Sequence, residues 1–372
     1  MKKLGFGLMR LPVVAGDYHQ VDIERFKKMA DAFIAAGGTY FDTAYLYHGG
    51  ASELALREAV VERYPREAYT VTDKMPLSRL QTEEDLTTIF ADQLKKTGLT
   101  YFDYYWLHAL GDHNAEKAEN LHAFDFVKKL KAEGKAKHIG FSFHGSPELL
   151  EKTLQNHPEV EYVQLQLNYI DWDDASVRAK ECYEICCRYQ KPVIVMEPVK
   201  GGALVKVPAE AEALMKETRP ELSVASWALR YAASKENVMT VLSGMSDEAQ
   251  VSDNVSFMMD FEPLSEREQA VVARTVELIR NHIAVSCTGC RYCVSEQNCP
   301  MNIPIPDIFA LYNDVKAFRT QHFAAMGAYQ KLTENTGKAS ECLGCGMCEP
   351  HCPQGLSIRE FLAEVAKTLE KE

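Results

Sequence analysis

Eight of the chain's eleven cysteines fall in two runs near its C-terminal end. The first reads Cys287-x2-Cys290-x2-Cys293-x5-Cys299-Pro300, the second Cys342-x2-Cys345-x2-Cys348-x3-Cys352-Pro353. Three thiolates at this spacing share one tight loop and suit three corners of an iron–sulfur cubane, while the cysteine before proline reaches across to the other run's cluster. The spacing predicts two 4Fe-4S clusters. One is held by Cys287, Cys290, Cys293 and Cys352, the other by Cys342, Cys345, Cys348 and Cys299. Two extra residues before Cys299 depart from the usual spacing. Structural zinc would ask for two separated Cys-x2-Cys pairs, and a disulfide framework for an oxidising compartment. Two clusters mean one-electron traffic.

A second set of reactive groups lies earlier in the chain: Asp42, Tyr47, Lys74 and His108. Each has an ordinary reading by itself, as helix cap, loop aromatic, surface charge or core histidine. Four complementary groups at the ends of successive strands converge on one site, which is far less ordinary.

The elements that must position them alternate. Strand candidates are Leu4–Arg10, Thr39–Asp42, Tyr69–Asp73, Tyr104–His108, His138–Ser142, Tyr162–Leu167, Val193–Glu197 and Thr240–Gly244. Helical patterns lie between them, among them Asp22–Ala36, Thr82–Thr97 with Thr82 and Asp85 at capping spacing, and Leu121–Glu133 before Gly134. Eight alternations predict a (β/α)8 TIM barrel with its site at the C-terminal ends of the strands. A doubly wound sheet would show a Gly-x-Gly-x-x-Gly turn after its first strand, and none is present. The barrel is assigned to residues 1–262 and a linking helix to 263–285, running to about His282. A small, mainly α-helical iron–sulfur domain follows at 286–372, with helices over Ile305–Phe318, Phe323–Leu332 and Ile358–Leu369.

Composition sets limits. Of 372 residues, 46% are hydrophobic and 25% charged, enough for a large core in an ordinary globular chain. The net charge of −12 argues against sequence-independent nucleic-acid binding. No apolar run of membrane-spanning length appears. Thiolates reserved for iron, with no apolar signal segment at the start, predict a cytoplasmic protein.

The segment Phe41-Asp42-Thr43-Ala44-Tyr45-Leu46-Tyr47 resembles the Asp-Thr-Ala segment of the aldo-keto reductases, with the tyrosine five residues after the aspartate. Lys74 and His108 fall at the strand ends where that family has its other catalytic residues. The resemblance covers about residues 1–260. The cysteine runs add a likeness to the subgroup fused to a ferredoxin-like tail, here of the α-helical kind.

The resemblance implies carbonyl reduction. Tyr47 would be the general acid, and the base in reverse. With an ordinary pKa of about 10, tyrosine is poorly matched to neutral pH. A lysine ammonium nearby is expected to lower it, with Asp42 keeping Lys74 charged and oriented. His108 would position the carbonyl oxygen. The resemblance also implies a nicotinamide cofactor, NADPH or NADH, across the barrel mouth. Ser142 and Gln166 would meet its carboxamide, Met196 would stand where many members stack a tyrosine, and Ser243, Gly244, Gln250 and Asn254 would line the adenine nucleotide end. Gly244 and Gln250 occupy places where basic residues commonly clamp the 2′-phosphate, and Lys200 is the candidate substitute. Phe143 replaces a common asparagine. His48 and His144 are either pocket-lining or plain rim residues. Cys182, Cys186 and Cys187 read as small hydrophobic residues on a helix.

The leading reading is an oxidoreductase acting on a small carbonyl or alcohol substrate, its clusters an electron port or a structural clamp. The alternative is a reduction fed by a ferredoxin-like electron partner, with a flavin or other cofactor in the barrel. A redox-responsive binding protein without turnover is a third reading, which the complete set of four residues opposes.

Overall fold

A computed structural model of the chain describes residues 2–174, 177–280, 284–295, 299–316 and 322–370. Eight parallel strands close into a barrel in chain order: β1 (Leu4–Gly7), β2 (Tyr40–Asp42), β3 (Thr70–Pro76), β4 (Phe102–Leu110), β5 (Ala136–Phe143), β6 (Tyr162–Gln166), β7 (Val193–Met196) and β8 (Val238–Gly244). β1 closes the ring by pairing with β8, Phe6 opposite Ser243. All eight expected strands form. The first stops early, because Leu8–Arg10 turns into a short 3-10 segment. The helix expected over Leu121–Glu133 is narrower, Ala123–Ala132, preceded by a separate turn of helix at Ala115–Asn120.

Successive strand residues face opposite sides, and this alternation divides the barrel. Tyr40, Tyr104, Trp106, Ile194 and Leu242 form one buried cluster. One step further along their strands come Asp42, His108, Met196 and Gly244, each two residues past a member of that plug. Gly140 admits the plug's largest ring, since a Cβ there would stand 2.5 Å from Trp106. Helices outside hold the strands in place with local signals. Asp22 caps Ile23–Ala35 by accepting from Arg25 N at 3.1 Å. Thr82 and Asp85 form the capping box of Glu83–Thr97, which ends at a left-handed Gly98, where glycine costs nothing.

The chain separates into two compact units. One is Met1–Asp173, Arg178–Pro198 and Ala225–Ser265, the barrel; the other is Asp174–Val177, Val199–Val224 and Glu266–Glu372. The loop after β7, Val199–Val224, thus groups with the cysteine-bearing tail. Within this second unit, helix Ala209–Thr218 packs on helix Glu266–Arg280, and Arg219 bonds Glu268 at 3.1 Å. Its core joins Ile305, Ile308 and Phe309 from helix Ile305–Lys316 to Leu362, Val365 and Leu369 from helix Ile358–Leu369. Helix His322–Leu332 lies between them in the chain. The expected helix ends at His282 and Phe318 lie outside the described residues. Among those residues no helix is long and apolar enough to cross a membrane.

Candidate functional site

Asp42 ends β2, Lys74 lies in β3 and His108 in β4, while Tyr47 opens a tight turn just past β2. The fold brings them together. Lys74 Nζ donates to Asp42 Oδ1 at 2.5 Å, to the Thr43 carbonyl at 2.6 Å and to Tyr47 Oη at 3.3 Å. The Tyr47 and His108 rings meet edge to face, 5.8 Å apart. Asp42 and Lys74 are buried to 2% and 0% exposure, which leaves water almost no part in arranging them. Two partners had no signal in the sequence. Gln164, in mid-β6, donates to the other Asp42 oxygen at 3.3 Å. Gln93 donates to the Lys74 carbonyl at 3.0 Å from the helix behind β3.

Burial dominates the electrostatics. It pushes the Tyr47 phenol well above its ordinary value, and the Asp42 carboxylate adds to the rise. This reverses the expected lowering by lysine. The Lys74 ammonium is engaged more closely by Asp42 and Thr43 than by Tyr47, so its pull on the phenol is weak. Burial also raises Asp42, against the opposing charge of Lys74. His108 is driven well below the usual histidine value by burial and then by Lys74, so its imidazole is neutral. Its Nδ1 is buried without a hydrogen-bond partner among the described residues, as befits a site that a ligand completes.

The residues assigned to a nicotinamide lie on neighbouring strand ends. Gln166 and Met196 are register partners across β6 and β7, and Ser142 pairs with Gln164 across β5 and β6. Ser142 Oγ accepts from Ala109 N at 2.7 Å, and Gln166 Nε2 donates to Asp171 at 2.8 Å. Ser243 and Asn254 bond each other at 2.8 Å, tying β8 to helix Glu248–Met258. Gly244 and Gln250 lie at that helix's N-terminal end, where Ser246 N donates to Gln250 Oε1 at 2.8 Å.

A residue the sequence reading missed stands here. A Cβ on Gly244 would lie 3.3 Å from the Arg10 side chain, and Ser246 Oγ donates to the Arg10 carbonyl at 2.7 Å. Arg10 fills the space that a basic side chain at position 244 would need. Lys200 falls in the second unit, its Nζ donating to Gln354 Oε1 at 2.6 Å.

His48 is fully engaged. Leu11 N donates to its Nε2 at 3.1 Å and its Nδ1 meets the Tyr18 carbonyl at 2.8 Å, which sets one neutral tautomer. His144 is held near a pKa of about 4 by burial, then by His113. Cys182 and Cys186 are buried and Cys187 is exposed.

The tail gathers its eight cysteines around two cavities. One is lined by Cys287, Cys290, Cys293 and Cys352. The other is lined by Cys299, Cys342, Cys345 and Cys348. These are the two sets read from spacing, the crossing cysteines included. Four thiols surround a hollow in each case, which fits a cubane; no three ligands among the described residues are placed to hold a single metal ion. Burial raises the Cys287 and Cys348 thiols, each to about 11, a cost that bound iron removes by taking up thiolate.

Residues 3–277 match the aldo/keto reductase family, and residues 286–356 match the 4Fe-4S dicluster domain. The chain belongs to the aldo/keto reductase family, a class of NAD(P)H-dependent oxidoreductase, and carries a C-terminal iron–sulfur domain. Solved structures with the same fold include the aldo-keto reductase AKR11C1 from Bacillus halodurans in its holo form, at 23% identity and TM-score 0.59, covering 73% of this chain and 91% of that one. An aldo-keto reductase from Klebsiella pneumoniae in complex with NADPH aligns at 19% identity and TM-score 0.59, covering 73% and 90%. No curated protein sequence matches the chain.

Proposed function

We propose that this chain reduces an aldehyde or ketone with NADPH at the barrel mouth, with Tyr47 as proton donor, and that its tail holds two 4Fe-4S clusters as a one-electron port. The observation carrying the reading is Lys74 Nζ, which bonds Asp42 and Tyr47 together in a buried site. A nicotinamide held by Ser142, Gln166 and Met196 would supply the hydride for the carbonyl carbon. Tyr47 Oη passes its proton to the carbonyl oxygen, so hydride and proton together convert C=O to an alcohol. The phenol is protonated throughout the neutral range, which is the state an acid needs. Lys74 meets the charge left on Tyr47 until solvent restores the proton. Asp42 and Gln164 hold Lys74 in place, and neutral His108 orients the carbonyl oxygen.

Ser142, Gln166 and Met196 would hold the nicotinamide, and Gly244, Ser246, Gln250, Asn254 and Ser243 shape the adenine end. Arg10 supplies the cation that Gly244 and Gln250 lack, which favours NADPH over NADH. The helix N-terminus at Asp247 adds to the attraction for phosphate. The eight thiols set aside for iron suit a reducing compartment, the cytoplasm.

A second reading, electron exchange with a ferredoxin-like carrier, draws support from Cys345. That ligand is exposed and stands between Leu343 and Met347, which are 66% and 46% exposed. The test for both uses anaerobically purified protein. Tyr47→Phe should abolish NADPH-dependent reduction across a carbonyl panel while leaving the iron content unchanged. Full turnover in that variant would remove Tyr47 as the acid. Cys345→Ser should stop electron uptake from a reduced ferredoxin, and uptake at the original rate in a variant shown to lack that cluster would end the second reading.

A further inference from the structure

Lys74 is held at its backbone as well as at its ammonium. The Thr72 carbonyl accepts from Thr43 N at 3.0 Å, so the N–H and C=O of Lys74, two residues on, face the same flank of β3. β2 has already ended there, at Asp42. Side chains take the place of the missing strand. Asp73 Oδ1 accepts from Lys74 N at 2.8 Å, and Gln93 Nε2 donates to the Lys74 carbonyl at 3.0 Å.

Asp73 does not stand alone. It is fully buried, and so is Glu53 on helix Ala51–Leu56. The two carboxyls lie within hydrogen-bonding reach of each other. Glu53 Oε2 accepts from Lys96 Nζ at 3.0 Å. The remaining oxygens, Asp73 Oδ2 and Glu53 Oε1, are buried without a hydrogen-bond partner among the described residues. Two carboxylates side by side offer only lone pairs, whereas one proton joins two orphaned acceptors into a single bond. Burial and then the Glu53 charge raise Asp73 well above the ordinary carboxyl value, and the opposing pull of Lys74 is smaller. Burial raises Glu53 too, but the Lys96 ammonium works against it. Of the other titratable neighbours, Tyr105 on β4 gives its O–H to Gln93 Oε1, while Asp92 and the Tyr45 ring engage Lys96.

We propose that Asp73 is a positioning residue for the reduction, kept protonated so that its Oδ2 donates to Glu53 while its Oδ1 fixes the backbone of Lys74. The proposal rests on Lys74 and Tyr47 acting as described above. Neutrality at Asp73 also serves the acid. An ionised Asp73 would add negative charge behind Tyr47 and push its phenol higher still, making it a poorer proton donor.

The experiment compares the holoprotein with Asp73→Ala and Asp73→Asn, all at full iron content. Asp73→Ala should lose about tenfold to a hundredfold in kcat with KM for NADPH unchanged, the scale for a displaced member of a reacting set. The amide of Asp73→Asn reproduces the neutral acid, with an oxygen for Lys74 N and an NH2 for Glu53, so it should restore kcat. At neutral pH the infrared difference between the wild type and Asp73→Asn should contain the C=O stretch of a protonated carboxylic acid, shifted in D2O. No such band, or a loss in Asp73→Asn as large as in Asp73→Ala, overturns the proposal. If Asp73→Ala does not fold, denaturation of the other two proteins decides. A carboxyl protonated only in the folded state loses stability as pH rises above its unfolded value. The folding constant of the wild type should therefore fall about tenfold further than that of Asp73→Asn between about pH 6 and 7. Parallel behaviour would again overturn the idea. A wild type without carbonyl turnover would refute the function proposed above, and the infrared and denaturation results would still decide for or against the proton on Asp73.

Discussion

The barrel site and the cysteine cages prepare charge in opposite ways. In the barrel, Lys74 and Asp42 neutralise each other within 2.5 Å, and backbone and amide groups take up what remains. The tail instead collects thiols, among which burial raises Cys287 and Cys348, and its charge balance waits on iron. The barrel's geometry comes from its parallel strands and from direct bonds among its own side chains. The cages come from loops around hollows, and metal binding there contributes to folding itself. One chain therefore contains a site that is preorganised and a site that is completed. Removing iron should unfold the second unit first and leave the barrel's strands and carbonyl reduction in place.

The comparison can be broken most sharply at Tyr47. Its loss should cost roughly a hundred- to ten-thousand-fold in NADPH-dependent turnover, the usual span for a general acid, with EPR signals unaltered. A matching loss of both would mean the two sites act as one. Next in size is Asp42→Asn, which leaves Lys74 buried against a neutral group. Breaking such a pair costs about 3–5 kcal/mol, measurable as a lower midpoint in denaturant for the barrel transition alone. Arg10→Met should raise KM for NADPH by about tenfold to a hundredfold, the worth of a charge-assisted hydrogen bond, and barely change that for NADH. Equal effects on the two cofactors would dismiss Arg10 as the 2′-phosphate contact. The smallest effect is on pH dependence. Tyr47 lies above its usual range and His108 below its own, so neither titrates between about pH 7 and 9. The kcat for reduction should be flat there and fall only at pH values above the ordinary tyrosine range, where the phenol loses its proton. An inflection near neutrality would show that His108 changes charge during turnover.

What was legible in the sequence follows from how local each signal is. Cysteine spacing within a loop is local, so both cages, with Cys299 and Cys352 exchanged, could be read directly. The four barrel residues became legible once eight strands were counted, because strand ends share one rim. Gln164 was not legible, since a glutamine in mid-strand carries no mark of the carboxylate it will meet 122 positions earlier in the chain. The Thr43 carbonyl is backbone and has no sequence signature at all. Arg10 lay in a run read as strand, whereas the chain turns there and swings the side chain toward Gly244. Lys200 was assigned by its place after β7, and nothing near it in sequence announces Gln354.

The grouping of Val199–Val224 with the tail has a consequence for how this chain can be cut or assembled. A protein ending near Ser265 would retain all eight strands, yet helix Ala209–Thr218 would lack helix Glu266–Arg280 and Arg219 would lose Glu268. The tail alone would lack Lys200. The two units draw on alternating stretches of the chain rather than following one another along it. During synthesis, the segment bearing Lys200 emerges before β8 and must wait for the last cysteine run before its own unit can close.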